Sequence, residues 1–191
     1  MHLLNNLAAA SQPSRIPTDL NPLIPQKIGI FIWRAKQNKL PVRSELDKKG
    51  IDLHSVRCPV CDDDIETLLH SLLKCSNSMD IWNRIQKWWS LDHLYLSCIY
   101  DLAKGSNPQL ISNLGSSLWQ AVGTTTYYIW IHRNDRVFSD KNRSSSKIVS
   151  EIQSKCYEWI NCRWKKGTLD WLKWISNPRW FDANQAKVGI G

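Results

Sequence analysis

The 191-residue chain has no apolar run approaching the about 20 residues that a membrane-spanning helix needs. No transmembrane segment is expected. The opening stretch, Met1–Ala10, contains no Lys or Arg, and Asn5 and Asn6 interrupt its apolar residues. A secretory signal needs the opposite on both counts, so an intracellular location, nuclear or cytoplasmic, is expected. There is no glycine-rich phosphate loop. No Ser or Cys nucleophile has an arguable base partner. The only acidic cluster is Asp62–Asp64, too little for the paired metal ions of a polymerase site. These gaps predict no catalytic residues and no small-molecule substrate. No internal repeat is present.

What is abundant is positive charge and tryptophan. Lys and Arg number 25 against 17 acids, a net charge of +8 and a pI near 9.3. That balance suits a polyanion such as RNA or single-stranded DNA, although it also serves plain solubility. Eleven Trp are available for core packing, their usual use, or for stacking on bases. A hydrophobic fraction of 42% is enough for a core.

The chain divides by composition. Residues 1–24 hold Pro13, Pro17 and Pro22 among Ser, Asn and Gln, and read as a loose leader. A first domain is expected over 25–99. Pro25 can begin a helix running to Asn38, with Ile28, Phe31, Ile32 and Ala35 buried; the short Ile30–Trp33 run alone would also suit a strand. Leu40-Pro41 breaks this element. A short helix over Arg43–Lys49 should end at Gly50 in a left-handed turn. After Cys75, Ser76 or Ser78 can cap a helix whose Ile81, Trp82, Ile85, Trp88 and Trp89 share one face. A linker is expected over 100–117. A helical region follows over 118–175, weakened at Thr124–Thr126, and 176–191 reads as a loose tail. The fold class expected is mostly α: a small helical domain with a zinc knuckle, followed by further helices.

The knuckle is Cys58-Pro-Val-Cys61, eight residues, His70, four residues, Cys75. Two Cys two residues apart form a tight turn that aims both sulfurs at one point, and a His and a Cys can close the site from the other side. Four sulfur and nitrogen donors at this spacing suit tetrahedral Zn²⁺ with no position left for water, hence a structural ion. Cysteines inside a cell stay reduced, which favours metal over disulfides. A redox dithiol is the competing chemistry, but its flanking strand–helix pattern is missing. Asp63 with Glu66 looks like a cap for the turn carrying Leu68, Leu69 and His70. His54 is a spare His expected at the surface, and Cys98, Cys156 and Cys162 are expected as small apolar fillers.

The acids Asp62, Asp63, Asp64 and Glu66 would repel phosphate. Nucleic acid, if bound, is expected on Arg34, Lys36, Lys39, Arg43, Lys48 and Lys49, or on Arg163, Lys165, Lys166 and Lys173 among Trp164, Trp171 and Trp174. Solvated helix faces have the same composition. The residues therefore leave open a structural or protein-interaction role with no nucleic-acid contact.

The order of short motifs carries a resemblance. Ile24-Pro25-Gln26-Lys27, Phe31-Ile32-Trp33-Arg34-Ala35, Asn38-Lys39-Leu40-Pro41, Gly50-Ile51, Cys58-Pro-Val-Cys61, Glu66-Thr67, His70, Cys75 and Ile81-Trp82 follow one another. This resembles the zinc-binding domain that follows the reverse transcriptase of plant non-LTR (LINE-type) retrotransposons, over about residues 22–90. Trp130–Asn134, Val137-Phe138 and the Trp159…Arg163 region resemble the segment that often follows that domain. Val42 departs from the family, which usually has a capping Thr there. The endonuclease, polymerase and ribonuclease H-like parts of such proteins are not among these 191 residues. The resemblance therefore implies descent from an RNA-directed DNA polymerase and a zinc-binding accessory role, without polymerisation by this chain alone.

Overall fold

Pro25 stands immediately outside the first helix, where its carbonyl accepts from the Ile28 amide at 2.9 Å. The structure is a computed structural model that describes residues 23–92, 94, 96–102, 116–163 and 168–181. Helix α1 spans Gln26–Lys36 and buries Ile28, Phe31, Ile32 and Ala35 on one face. The Ile30–Trp33 run is thus helical, and the strand alternative falls away. Helix α2 is Arg43–Asp47, and Gly50 ends the segment at φ +75 as its position predicted. A π-helical turn covers His70–Lys74, and α3 follows over Ser76–Trp88. A 3₁₀ turn at Ile99–Leu102 precedes α4, Ser116–Ser139, then α5, Ser145–Arg163, and α6, Trp171–Ser176. No strand occurs among the described residues, where pairing outside helices is one isolated bridge between Arg57 and Ile65.

Helix α4 is the centre of the bundle. It packs against α1, α3, α5 and the π-turn, so it has no single wet face. Its three consecutive threonines, expected to weaken it, are fully buried. Each hydroxyl donates to the carbonyl four residues back, at 2.7–2.8 Å, so no polar group is stranded by the burial. Gly123 permits the approach of α1: a Cβ there would lie 3.0 Å from Ile32 Cδ1 and 3.2 Å from Ile24 Cδ1. The connection to α5 is pinned by Arg143, which pairs with Asp135 on α4 and, at 2.7 Å, with Glu151 on α5.

The expected face of α3 is buried in full: Ile81, Trp82, Ile85, Trp88 and Trp89. Trp88 and Trp89 meet Trp174 of α6 edge to face, with centroids 5.1 and 6.1 Å away. The Trp174 indole donates to the Gln153 carbonyl at 3.0 Å. Trp174 is therefore core, and the expectation of a base-stacking role for it is corrected. The tail expected to be loose from 176 stays packed as far as Phe181, whose ring is fully buried. Residues 182–191, most of the leader and linker, and Trp164, Lys165 and Lys166 lie outside the described residues. Of the three cysteines expected as apolar fillers only Cys156 is buried; Cys98 is half-buried and Cys162 is exposed.

His132 of α4 is almost wholly buried, and neither ring nitrogen has a hydrogen-bond partner. Burial lowers its pKa below 6.5; Arg143 and, more weakly, Arg136 add to the effect, and Asp135 opposes it. The unfolded chain therefore takes up this proton first. The stability that neutral His132 gives is complete above about pH 6.5 and is lost as pH falls through the lowered value. Thermal unfolding of the His132→Leu variant is expected to lose less stability between pH 7 and pH 5 than the parent protein, a differential that cancels any acid effect on the cysteine–histidine cluster. Equal losses in the two proteins would exclude His132 as an acid-sensitive group.

Candidate metal centre

The cysteine pair sits on a minimal hairpin. The Cys58 amide donates to the Asp64 carbonyl at 2.7 Å and the Glu66 amide to the Val56 carbonyl at 2.9 Å. The reversal between them needs one left-handed residue, and Asp62 takes it at φ +59. The Asp62 amide returns to the Cys58 carbonyl at 2.9 Å, so the loop folds back on its first ligand.

His70 and Cys75 come from the π-turn and the start of α3. Five residues apart on a regular α-helix they would stand about 140° apart around the axis. Here the Cys75 amide bonds the His70 carbonyl at 2.7 Å, an i to i+5 closure that wraps the five residues into nearly one circuit. Both side chains then face the hairpin. The turn is capped by Thr67, whose hydroxyl accepts from the His70 amide at 3.0 Å. The expected Asp63–Glu66 cap is corrected: Asp63 is exposed and Glu66 is buried elsewhere. The expected Ser76 or Ser78 cap of α3 is corrected too. The N-cap position belongs to Cys75, and the Ser78 hydroxyl donates to the Ser71 carbonyl at 2.6 Å.

The Sγ atoms of Cys58, Cys61 and Cys75 and a ring nitrogen of His70 all lie within 4.8 Å of one another. Cys58 Sγ and Cys75 Sγ are 4.0 Å apart, and Cys61 Sγ is 3.3 Å from His70 Nε2. A tetrahedral centre with metal–sulfur bonds of about 2.3 Å spaces its sulfurs about 3.8 Å apart, so the donor set fits a single ion. The hydrogen bond from Cys58 lowers the Cys75 pKa against an opposing burial effect, and the Ser78 and Asn77 amides lower it further. The same hydrogen bond, joined by burial, raises the Cys58 pKa. A thiolate at a helix N-terminus is the donor a soft divalent cation takes. His70 Nδ1 lies 3.6 Å from Asp64 Oδ2, while Nε2 is the ring nitrogen that faces Cys61 Sγ. His54 is exposed and stands apart from this cluster.

Glu66 is the residue that sequence reasoning misplaced. It is fully buried, not part of the acidic surface. Its two oxygens accept from Arg133 Nε and an Arg133 terminal nitrogen, both at 2.6 Å. The Ser71 hydroxyl donates to it at 3.0 Å and the Arg43 amide at 2.8 Å. The last bond answers the Val42 departure: Val42 gives α2 no side-chain cap, and Glu66 supplies one from 23 residues away. Arg133 carried no sequence signal beyond lying in the Trp130–Asn134 motif.

The six cations expected to meet nucleic acid divide between surfaces. Arg34 and Arg43 line one groove, while Lys36 and Lys48 line another. Arg43 also donates to the Arg57 carbonyl at 2.8 Å, Lys48 pairs with Glu45, and Lys39 lies over the Trp33 ring. Lys49 is exposed. In the later set, Arg163 is exposed, Lys173 sits over the Trp180 ring, and Trp171 packs edge-on against Tyr157.

Residues 14–82 match the family model described as zinc-binding in reverse transcriptase, which bears out the resemblance. No curated protein and no solved structure matches the chain. The match ends inside α3, so Arg133 and helices α4–α6 lie beyond it.

Removing one partner of the buried pair leaves a charge without compensation. Glu66→Gln is expected to destabilise the protein by about 3–5 kcal/mol in denaturant unfolding, far more than an exposed Asp63→Asn change. A loss of under about 1 kcal/mol, the size of a surface ion pair, would refute a structural role for the pair.

Proposed function

We propose that this chain, which carries a zinc-binding domain of the reverse transcriptase kind over residues 14–82, holds one structural Zn²⁺ on Cys58, Cys61, His70 and Cys75. Its role is that of an accessory module of a retrotransposon polymerase: it contacts RNA or single-stranded DNA and has no catalytic centre of its own. The observation that carries the reading is the closed set of four protein donors within 4.8 Å. Three sulfurs and an imidazole favour zinc over hard cations, and four protein ligands leave no open position for water. The ion would bind the hairpin to the start of α3 and supply folding energy rather than chemistry.

Nucleic-acid contact is supported by charge. The net charge is +8, and Arg34, Lys39 and Lys49 stand exposed around the first two helices. The exposed acids of the knuckle loop are Asp62, Asp63 and Asp64. A strand held mainly by phosphate contacts releases counterions, so its affinity falls with salt.

Elemental analysis of the purified chain is expected to give one zinc per molecule. Cys75→Ala should abolish stoichiometric zinc and unfold the hairpin, since structural zinc contributes about 10–16 kcal/mol in finger peptides. Well under one zinc per chain, or full zinc in the variant, would refute the ligand set.

Short RNA is expected to bind saturably with an affinity that falls as salt rises. A flat titration at low salt would favour the structural or protein-interaction role. Primer extension by the chain alone is expected to be absent. Extension that survives mutation of Asp62, Asp63 and Asp64 would reveal a catalytic site elsewhere.

A further inference from the structure

A groove of about 690 Å³ runs between α1, the segment from Leu40 to Ser55, and the C-terminal half of α4. Among the described residues its walls carry the cations Lys27, Arg34 and Arg43 against one acid, Asp52. Arg133 also lines it, but Glu66 already neutralises that charge. The groove therefore keeps an excess of positive charge over an apolar floor that includes Phe31 and Trp130. Phe138 stands in its wall with 78% of its surface exposed, the most exposed large hydrophobic side chain among the described residues. Nothing in the packing of α4 needs a phenyl ring there.

We propose that this groove is the seat of single-stranded RNA, an inference that rests on the nucleic-acid reading above and gives it a place. Phosphates lie along Arg34 and Arg43, and an unpaired base stacks on Phe138. The charge excess matches a polyanion, and an exposed aromatic ring among cations matches a polyanion with flat faces. A duplex keeps its bases stacked inside, so the ring serves only an unpaired strand. RNA rather than DNA follows from Asp52. Its carboxylate can only accept hydrogen bonds, and it would repel phosphate. Every ribonucleotide brings a 2′-hydroxyl donor to it; a deoxynucleotide brings none.

The test uses the full zinc-loaded chain and two fluorescent probes, an oligouridine and a deoxyuridine oligomer of equal length. The RNA is expected to bind several-fold more tightly than the DNA, and Asp52→Asn should narrow that gap. Phe138→Ala should weaken RNA binding roughly ten-fold through lost stacking. Arg34→Ala should flatten the salt slope by about 0.7, the loss of one phosphate contact on a single strand. Phe138 and Arg34 are exposed, so both variants keep the fold, as circular dichroism will register. Lys87→Ala, on α3 and outside the groove, should bind as the parent does. Parent-like RNA binding by both Phe138→Ala and Arg34→Ala would overturn the groove while leaving nucleic-acid binding intact. Equal affinity for the two probes would overturn the choice of RNA. No saturable binding by the parent protein would overturn the nucleic-acid reading itself.

Discussion

One buried carboxylate organises this molecule. Glu66 has no solvent contact, and taking a carboxylate out of water is costly unless charge and hydrogen bonds replace the lost hydration. Four donors do so here, from three places in the chain: the amide that opens α2, the hydroxyl of Ser71 in the π-turn, and two nitrogens of Arg133 on α4. The guanidinium is satisfied in turn. It stacks 4.9 Å from the Trp130 ring centre and also reaches Asn134. A pair of this kind adds little net stability over apolar packing, while loss of either partner strands a buried charge. The hairpin, the start of α2, the π-turn and the central helix are thereby tied to one another.

The knuckle is tied to the rest of the protein at both of its ends. Glu66 leaves the hairpin and anchors on α4. Cys75, at the other end, is both a donor of the cluster and the N-cap of α3. Helix α3 buries its apolar face against α5 and the Trp174 ring of α6. The anchors on α4, α5 and α6 all lie beyond residue 82, where the family match stops. The metal-binding fold is thus built from the matched segment and supported by helices outside it. The hairpin loop has few apolar residues of its own, so its order leans on those helices.

Some of this was legible from residue types and spacing. The four donors were, because metal ligation constrains both chemistry and separation within 18 residues. So was the buried face of α3, because its apolar residues repeat with the helical period. The role of Glu66 was not. Its partner is 67 residues away, and an acid in an acidic loop reads as surface. The π-turn was not legible either, since one extra residue per turn leaves no compositional trace. Helix α4 hid its pattern because it is covered on several sides, so its buried set includes threonines, Gln120 and His132 alongside the aliphatics. Trp174 and Phe181 belong to elements too short to show a period, and their partners lie on other helices.

The electrostatic division of the surface follows from the same carboxylate. Counted as exposed, Glu66 makes the knuckle loop more acidic than it is and leaves Arg133 an unexplained cation in the middle of a helix. Paired, it removes both charges from the surface. On the parts of the surface it borders, this leaves an acidic edge at Asp62–Asp64, beside the donor cluster, and a groove whose positive charge comes from Lys27, Arg34 and Arg43. Glu66 also holds the Arg43 backbone and the Arg133 side chain, which form part of that groove's wall. The hairpin that carries Glu66 is the one that carries Cys58 and Cys61. Whatever fixes the position of the cysteines therefore fixes the carboxylate, and the carboxylate fixes two of the groove's arginines. The metal cluster and the basic groove share no residue, yet a single side chain links them.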